Sequence, residues 1–167
     1  MLMRRIAGCL VLLLLSAFAL TAVADTPASH FDQLKKLAGN WEGKRADGKP
    51  VSITLHVVSD GSALMEVDPG ENMVTMFHPD NDRLLMTHYC SAHNQPRMVA
   101  EVSPDGKRFT FNFLDGTNLA KPNSGHMHRM VLTIDDASHI TQQWFYIDGA
   151  KEMTETFKLE RSRKPEP

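Results

Sequence analysis

The sequence has little cysteine and no excess of basic charge. Only two of its 167 residues are cysteine, and one of these, Cys9, lies in an apolar N-terminal stretch. Lysine and arginine together number 18 against 20 aspartate and glutamate residues, which gives a formal net charge of −2. Nucleic-acid binders present a basic face, so this balance argues against a nucleic-acid partner. Cys90 alone forms no internal disulfide, and stability must come from a hydrophobic core.

Long apolar runs are also missing beyond the N terminus, so no membrane span is expected. The N terminus begins with Arg4 and Arg5, continues as an apolar run and ends in the small-residue pattern Ala-Val-Ala. This order is typical of a secretory signal peptide, here residues 1–24, cleaved before Asp25. We therefore expect export, to the bacterial periplasm, of a mature chain with a net charge of −4. Residues 25–167 are long enough for one domain with a sizeable core.

Turn signals divide most of the mature chain into short segments of β type. Before them, Ser29 and Asp32 have the spacing of a helix-capping pair, and Gly39 ends the helix that they would begin. The later segments predict ten strands, near residues 40–45, 51–59, 63–68, 73–78, 83–90, 96–103, 107–114, 127–135, 139–147 and 151–161. Most connections are short, so consecutive strands are expected to pair antiparallel. Residues 115–125 form one long loop, either a lid or a surface connection.

Closing such a meander into a barrel removes its exposed sheet edges. The predicted fold class is all-β, an antiparallel up-and-down β-barrel of about ten strands with a short N-terminal helix. A barrel of this size has room for a small ligand among its interior side chains. The mature chain has eight methionines, which are flexible and polarisable and suit either an adaptable apolar pocket or an ordinary core.

Two short motifs give the chain a family resemblance. The helix followed by Gly39-Asn40-Trp41 resembles the glycine-x-tryptophan motif that opens the first strand of lipocalins and other calycins. Arg161, at the end of the last predicted strand, resembles the closing arginine of that family, which packs over the tryptophan. The strand number is closer to the fatty-acid-binding-like and nitrobindin-like branches than to the lipocalins proper. The resemblance implies a barrel that binds a small apolar or amphipathic molecule.

Polar residues are concentrated in the segment THYCSAHNQPR, residues 87–97. It has the pattern of a strand end, a turn and the start of the returning strand. His88, Tyr89 and Arg97 are predicted to converge at one barrel end. There they either orient the carboxylate of a ligand or form a buried hydrogen-bond network without a ligand. On a later strand, Trp144 and Tyr146 share a face and are expected to line the same cavity.

Closely spaced histidines provide a metal-binding alternative. His88 and Cys90 are two residues apart, Cys90 and His93 are three apart, and His126 and His128 repeat the two-residue spacing. Alternate residues of a strand point the same way, and imidazole and thiolate groups bind zinc or copper. These five residues are candidate metal ligands, unless they only cap hairpins and satisfy buried polar groups.

Haem is a more specific form of this alternative, because the resemblance to nitrobindin-like barrels implies one axial histidine in an apolar cavity. The closing strand contains no histidine, so His88 or His128 would serve. Catalysis is a third possibility, since Cys90 with His88 or His93 supplies a nucleophile and a base. No glycine-rich oxyanion pattern accompanies them, so the sequence favours a binding protein over an enzyme without excluding one.

These patterns lead to one prediction and one alternative. The prediction is an exported β-barrel that binds a small apolar or amphipathic molecule through His88, Tyr89, Arg97, His128, Trp144 and Tyr146. The alternative is a metal- or haem-binding barrel that uses the histidines and Cys90. Ligand identity and oligomeric state stay open.

Overall fold

The computed structural model describes residues 26–121 and 123–163, so the predicted signal peptide lies outside the described residues. The described residues begin with helix α1 (Pro27–Lys35), and a 3-10 turn, Ser59–Gly61, lies between the second and third strands. The strands are β1 (Gly39–Lys44), β2 (Pro50–Val58), β3 (Ala63–Asp68), β4 (Met73–Asp80), β5 (Arg83–Tyr89), β6 (Gln95–Val102), β7 (Arg108–Thr117), β8 (His126–Ile134), β9 (His139–Asp148) and β10 (Lys151–Arg161). Within the described ranges, no helix is long and apolar enough to span a membrane.

Each strand pairs antiparallel with the next one along the chain, and β10 returns to pair with β1. The seam between the first and last strands runs from Trp41 opposite Arg161 to Lys44 opposite Lys158. The ten strands therefore form a closed barrel. The predicted fold class, an antiparallel up-and-down barrel with a short N-terminal helix, is confirmed.

The helix begins earlier than its predicted cap. Thr26 is the N-cap, because its hydroxyl accepts a hydrogen bond from the Ser29 backbone N–H at 3.2 Å and its own N–H donates to the Ser29 hydroxyl at 2.9 Å. Pro27 fits the first turn, where a missing N–H leaves no bond unmade. The capping pair of Ser29 and Asp32 is therefore wrong: Ser29 takes the inner position of a capping box opened by threonine.

Strand β7 extends further than the sequence predicts. After a bulge between Arg97 and Met98, pairing with β6 continues through Asp115 opposite Arg97 and ends at Thr117. The bulge inserts an extra residue and lets the two strands stay paired beyond it. The loop predicted for residues 115–125 therefore starts after Thr117, and the first part of that prediction is wrong.

The apolar core lies beside α1. Phe77, Phe109 and Phe111 are fully buried, and the ring centroid of Phe111 lies 5.4 Å from that of Phe77 and 6.5 Å from that of Phe109. His30 of α1 meets Phe109 edge-on at 6.2 Å, and the buried Phe31 joins the same cluster. The helix packs against β4 and β5. This part of the barrel is filled by side chains.

Arg161 joins the segment after α1 to the barrel seam. Its guanidinium lies over the ring of Trp41, 4.4 Å from the centroid, and donates to the carbonyl oxygens of Ala38 at 2.7 Å and Lys36 at 3.0 Å. Trp41 is fully buried and donates through Nε1 to the Leu37 carbonyl at 2.9 Å. The arginine–tryptophan contact that the calycin resemblance implies is present in the structure.

Candidate ligand-binding site

The barrel encloses a cavity of about 410 Å³ at the end where the β3–β4, β5–β6 and β9–β10 turns lie. Glu71 and Met73 border it on one side, and Cys90, Ser91 and Ala92 border it on another. Small-molecule sites have volumes of about 300–1,000 Å³, so a modest organic ligand fits this space. The cavity is the candidate functional site.

Three polar side chains form a row across the inner face of neighbouring strands, here called the floor row. Glu66 of β3 lies opposite Thr75 of β4, and Thr75 lies opposite His88 of β5. Directly opposed residues of antiparallel strands share a face, with Cβ atoms about 5 Å apart. All three are buried, and Thr75 Oγ1 is hydrogen-bonded to His88 Nδ1 at 2.9 Å. Strand pairing thus brings a carboxyl, a hydroxyl and an imidazole group together.

Residues of β9 hold the carboxyl group of Glu66. Gln142 Nε2 donates to Glu66 Oε2 at 2.7 Å, and Trp144 Nε1 donates to Gln142 Oε1 at 3.0 Å. Burial raises the pKa of Glu66 to about 7, although the hydrogen bond from Gln142 works in the opposite direction. Near neutral pH this carboxyl group therefore exchanges readily between its neutral and ionised forms.

His88 belongs to the cavity lining and has a buried ring nitrogen without a protein partner. The residue is only 2% exposed, it lines the cavity, and its Nε2 has no hydrogen-bond partner. Burial lowers the pKa of His88 to about 4, so the imidazole is neutral at neutral pH. The ring centroid of Trp144 lies 4.7 Å from that of His88. A neutral imidazole donates or accepts through Nε2 according to its tautomer, so this atom can bind a ligand.

The remaining cavity lining is largely apolar. It includes the aromatic rings of Trp144, Tyr146 and Phe157 and the flexible side chains of Met73 and Met127. Aromatic and thioether groups adapt to the body of an apolar ligand. The cavity therefore combines apolar walls with a polar floor row.

An arginine ties two sides of the cavity rim together. Arg45 Nη1 donates to Glu155 Oε1 at 2.7 Å, and Nη2 forms an ion pair with Glu71. The guanidinium also lies 5.1 Å from the ring centroid of Phe157. Glu71 follows β3 and Glu155 belongs to β10, so Arg45 links segments that are distant in sequence.

Four of the residues predicted from the sequence line the cavity, namely His88, Cys90, Trp144 and Tyr146. Tyr89 is 49% exposed, and Arg97 forms an exposed pair with Asp115 through an Nε–Oδ1 distance of 2.7 Å. The predicted convergence of His88, Tyr89 and Arg97 is corrected: successive strand residues point to opposite faces, and the alternation places only His88 inside.

His126 and His128 pack against Phe113 and are not among the residues that line the cavity. Their ring centroids lie 4.4 Å and 5.8 Å from that of Phe113, and 5.8 Å from each other. His93 lies in the β5–β6 turn. Across residues 26–121 and 123–163, no three His, Cys, Asp or Glu side chains gather closely enough to hold a metal ion. The metal site stays a prediction without support from this geometry.

The described cavity lining offers a possible axial ligand for haem but no cationic partners for its propionate groups. The free Nε2 of the neutral His88 has the chemistry of an axial ligand. Haem also carries propionate groups, which need cationic partners or hydrogen-bond donors. The described residues that line the cavity include the acids Glu66, Asp68, Glu71 and Glu155, and no lysine or arginine. The residues present therefore do not fit haem.

Comparison with models of known protein families finds no match, and no curated protein matches the chain significantly. The resemblance to calycins accordingly rests on the closed antiparallel barrel and on the contact between Trp41 and Arg161. Fold likeness alone does not identify a ligand, so function has to be argued from the cavity.

Sequence reasoning missed Glu66, Thr75 and Gln142. In the β3 sequence ALMEVD, alternate residues share a face, so one face carries Met65 and Val67 and the other carries Leu64 and Glu66. The pattern favours burial of the first face, because both of these residues are apolar. The structure buries the other face, including Glu66. A usable signal exists on β9, where Gln142 lies between Ile140 and Trp144 on one strand face.

Proposed function

We propose that the protein is an exported, calycin-like binding protein that holds a small apolar or amphipathic molecule inside its barrel. One observation carries the proposal: a cavity of about 410 Å³ combines apolar walls with a buried histidine nitrogen that no protein group satisfies. Small-molecule sites have the same composition, an apolar lining with a few fixed polar groups. A purely structural interior would be packed closely by side chains instead.

The cavity residues divide into two roles in this proposal. Trp144, Tyr146 and Phe157 contact the apolar body of the ligand, and the floor row orients its polar end. Cys90 is a poor candidate for catalysis, because burial raises the pKa of its thiol and disfavours the nucleophilic thiolate. The lining therefore favours binding over chemical conversion.

Native mass spectrometry of protein secreted into a periplasmic extract tests the proposal. The denatured chain is expected to have the mass of residues 25–167, since export removes the signal peptide. The native protein is expected to carry an additional mass that denaturation releases. A denatured mass that still includes residues 1–24 would contradict export, and the released mass identifies the chemical class of the ligand.

A substitution at the rim tests whether this cavity is the binding site. Ala92 lines the cavity and is exposed, so Ala92→Trp narrows the entrance without cutting into the core. We expect it to reduce binding of the neutral apolar fluorophore N-phenyl-1-naphthylamine about tenfold or more. Ala137→Trp, in the exposed β8–β9 turn away from the cavity, is the matched control. Equal fluorophore binding by all three proteins would place the binding site elsewhere.

A further inference from the structure

Acidic residues outnumber basic ones around the cavity. Glu66, Asp68, Glu71 and Glu155 line it, and among the described lining residues there is no lysine or arginine. The guanidinium of Arg45 lies at the cavity rim, but it is already paired with Glu71 and Glu155. A carboxylate ligand would find like charges and no cationic partner. The electrostatics of the cavity therefore oppose an anionic ligand and favour a cationic one.

The hydrogen-bonding groups at the floor row lead to the same ligand class. Trp144 donates its N–H to Gln142, and Gln142 donates to Glu66, so these donors are engaged within the protein. Glu66 as a carboxylate retains lone pairs that can accept further hydrogen bonds. His88 Nε2 also accepts when Nδ1 carries the proton and donates to Thr75. With Glu66 ionised and His88 in this tautomer, the floor row offers acceptors to a ligand that brings donors.

The lining also contains aromatic rings that attract cations. Trp144 lies beside His88, and Tyr146 and Phe157 belong to the same lining. The negative face of an aromatic ring attracts an ammonium group, and desolvation strengthens this attraction. Carboxylate, imidazole acceptor and aromatic ring are therefore available together inside one cavity. An ammonium group, with several donors and no acceptor, matches all three.

We propose that the cavity binds a small organic amine with an apolar body, whose ammonium group donates to Glu66 and to His88 Nε2. The inference rests on the proposed function as a binding protein and specifies the chemical class of its ligand. The apolar body lies against Trp144, Tyr146 and Phe157. Because the pKa of Glu66 is about 7, an arriving cation ionises this carboxyl group at little cost.

Three probes with one apolar body and different polar ends test the inference. They are 2-phenylethylamine, 2-phenylethanol and 3-phenylpropionate, titrated into the mature protein at neutral pH in a calorimeter. We expect the amine to bind about tenfold or more tightly than the alcohol, because a buried charged hydrogen bond replaces a neutral one. The carboxylate is expected not to bind. Tighter binding of the alcohol or the carboxylate would overturn the inference and leave the proposed binding function standing.

The substitution Glu66→Gln keeps the shape and the hydrogen-bonding side chain but removes the charge. It is expected to weaken amine binding about tenfold and to change alcohol binding less than about threefold. Glu101→Gln removes an exposed carboxylate from β6 and should leave both affinities unchanged. Equal loss of amine affinity in both variants would overturn the role of Glu66. If none of the three probes binds the unaltered protein, the inference fails together with the proposed binding of molecules of this size.

Discussion

Two ionisable residues of the floor row are shifted in opposite directions by the same physical cause. Burial penalises the charged form of each, so the pKa of Glu66 rises to about 7 and that of His88 falls to about 4. Both groups are therefore most stable in the protein as neutral side chains. The consequences for stability have opposite signs, because one group becomes charged by losing a proton and the other by gaining one.

The pH dependence of unfolding is predicted to reveal these opposite contributions. Glu66 stabilises the fold fully below its ordinary pKa of 4.5, and this contribution is lost as the pH rises to about 7. His88 stabilises fully above its ordinary pKa of 6.5, and this contribution is lost as the pH falls to about 4. Between pH 4.5 and 6.5 the two slopes oppose each other, and their effects on the free energy of unfolding largely cancel.

A substitution at either residue should remove its contribution to the pH dependence of the free energy of unfolding and leave the contribution of the other residue visible. Relative to the unaltered protein, the free energy of unfolding of Glu66→Gln should rise by about 2 kcal/mol from pH 4.5 to 6.5. That of His88→Gln should fall by about 2 kcal/mol over the same interval. Urea unfolding at several pH values gives both differences, with Glu101→Gln as an exposed control that stays level. Parallel curves for all four proteins would show that the two pKa shifts are absent.

At the residue scale, the sequence predicts the positions of some cavity residues and not those of others. Trp144 and Tyr146 could be predicted because alternate strand residues share a face and aromatic rings suit a cavity wall. Tyr89 and Arg97 were misplaced because a polar residue carries no sign of whether it faces solvent or a ligand. Glu66 could not be predicted, since a buried carboxyl group contradicts the pattern by which burial is inferred.

Strand β1 is the element on which closure of the barrel depends, since it pairs with both β2 and β10. Gly43, the next-to-last residue of β1, lies opposite Leu159 on β10 and Val51 on β2. A Cβ atom built on Gly43 would lie 2.1 Å from the Lys158 carbonyl oxygen, which is far inside contact distance. Glycine is required here for the close approach of two backbones.

The substitution Gly43→Ala is predicted to destabilise the seam. We expect a loss of about 3 kcal/mol in the free energy of unfolding, because β1 or β10 has to shift and lose pairing. Gly70→Ala is the matched control: its added Cβ would lie 3.3 Å from Asp68 Oδ1, so a shift of a few tenths of an ångström, far smaller than at Gly43, relieves the contact. Guanidinium unfolding of both variants measures the difference. Equal stability of the two would mean that the seam accommodates the methyl group without cost.

Element existence was far easier to predict than element length. Turn signals separate all ten strands, and short connections require antiparallel neighbours. The extension of β7 to Thr117 depends on a bulge opposite β6, which arises from pairing between distant segments and has no local signal. The start of α1 was missed for a different reason, because Thr26 and Ser29 both match a cap and only the contacts distinguish them.

On the scale of the whole molecule, closure joins the two ends of the described chain. Trp41 pairs with Arg161, and every other strand pairing is between neighbours in sequence. Bringing distant segments together costs loop entropy before any contact compensates for it. The seam is therefore expected to form late in folding, after the local hairpins.

Folding kinetics of Arg161→Met should show this order. The substitution removes the hydrogen bonds to Lys36 and Ala38 and the charge over Trp41, so it destabilises the protein by about 2 kcal/mol. A late seam predicts that nearly all of this loss appears as faster unfolding in a stopped-flow chevron. Phe77→Leu, in the local β4–β5 pairing, should slow folding as well. A matching decrease in the folding rate of Arg161→Met would indicate that closure comes early.

The two tryptophans occupy different parts of the barrel, with consequences for optical spectroscopy. Trp41 lies at the seam beneath a guanidinium, while Trp144 lies in the cavity wall beside an imidazole. They are the only tryptophans in the chain, so Trp41→Phe leaves emission from the cavity and Trp144→Phe leaves emission from the seam. The fluorescence of Trp144 should therefore report ligand binding in the cavity, and that of Trp41 should report closure of the barrel at the seam.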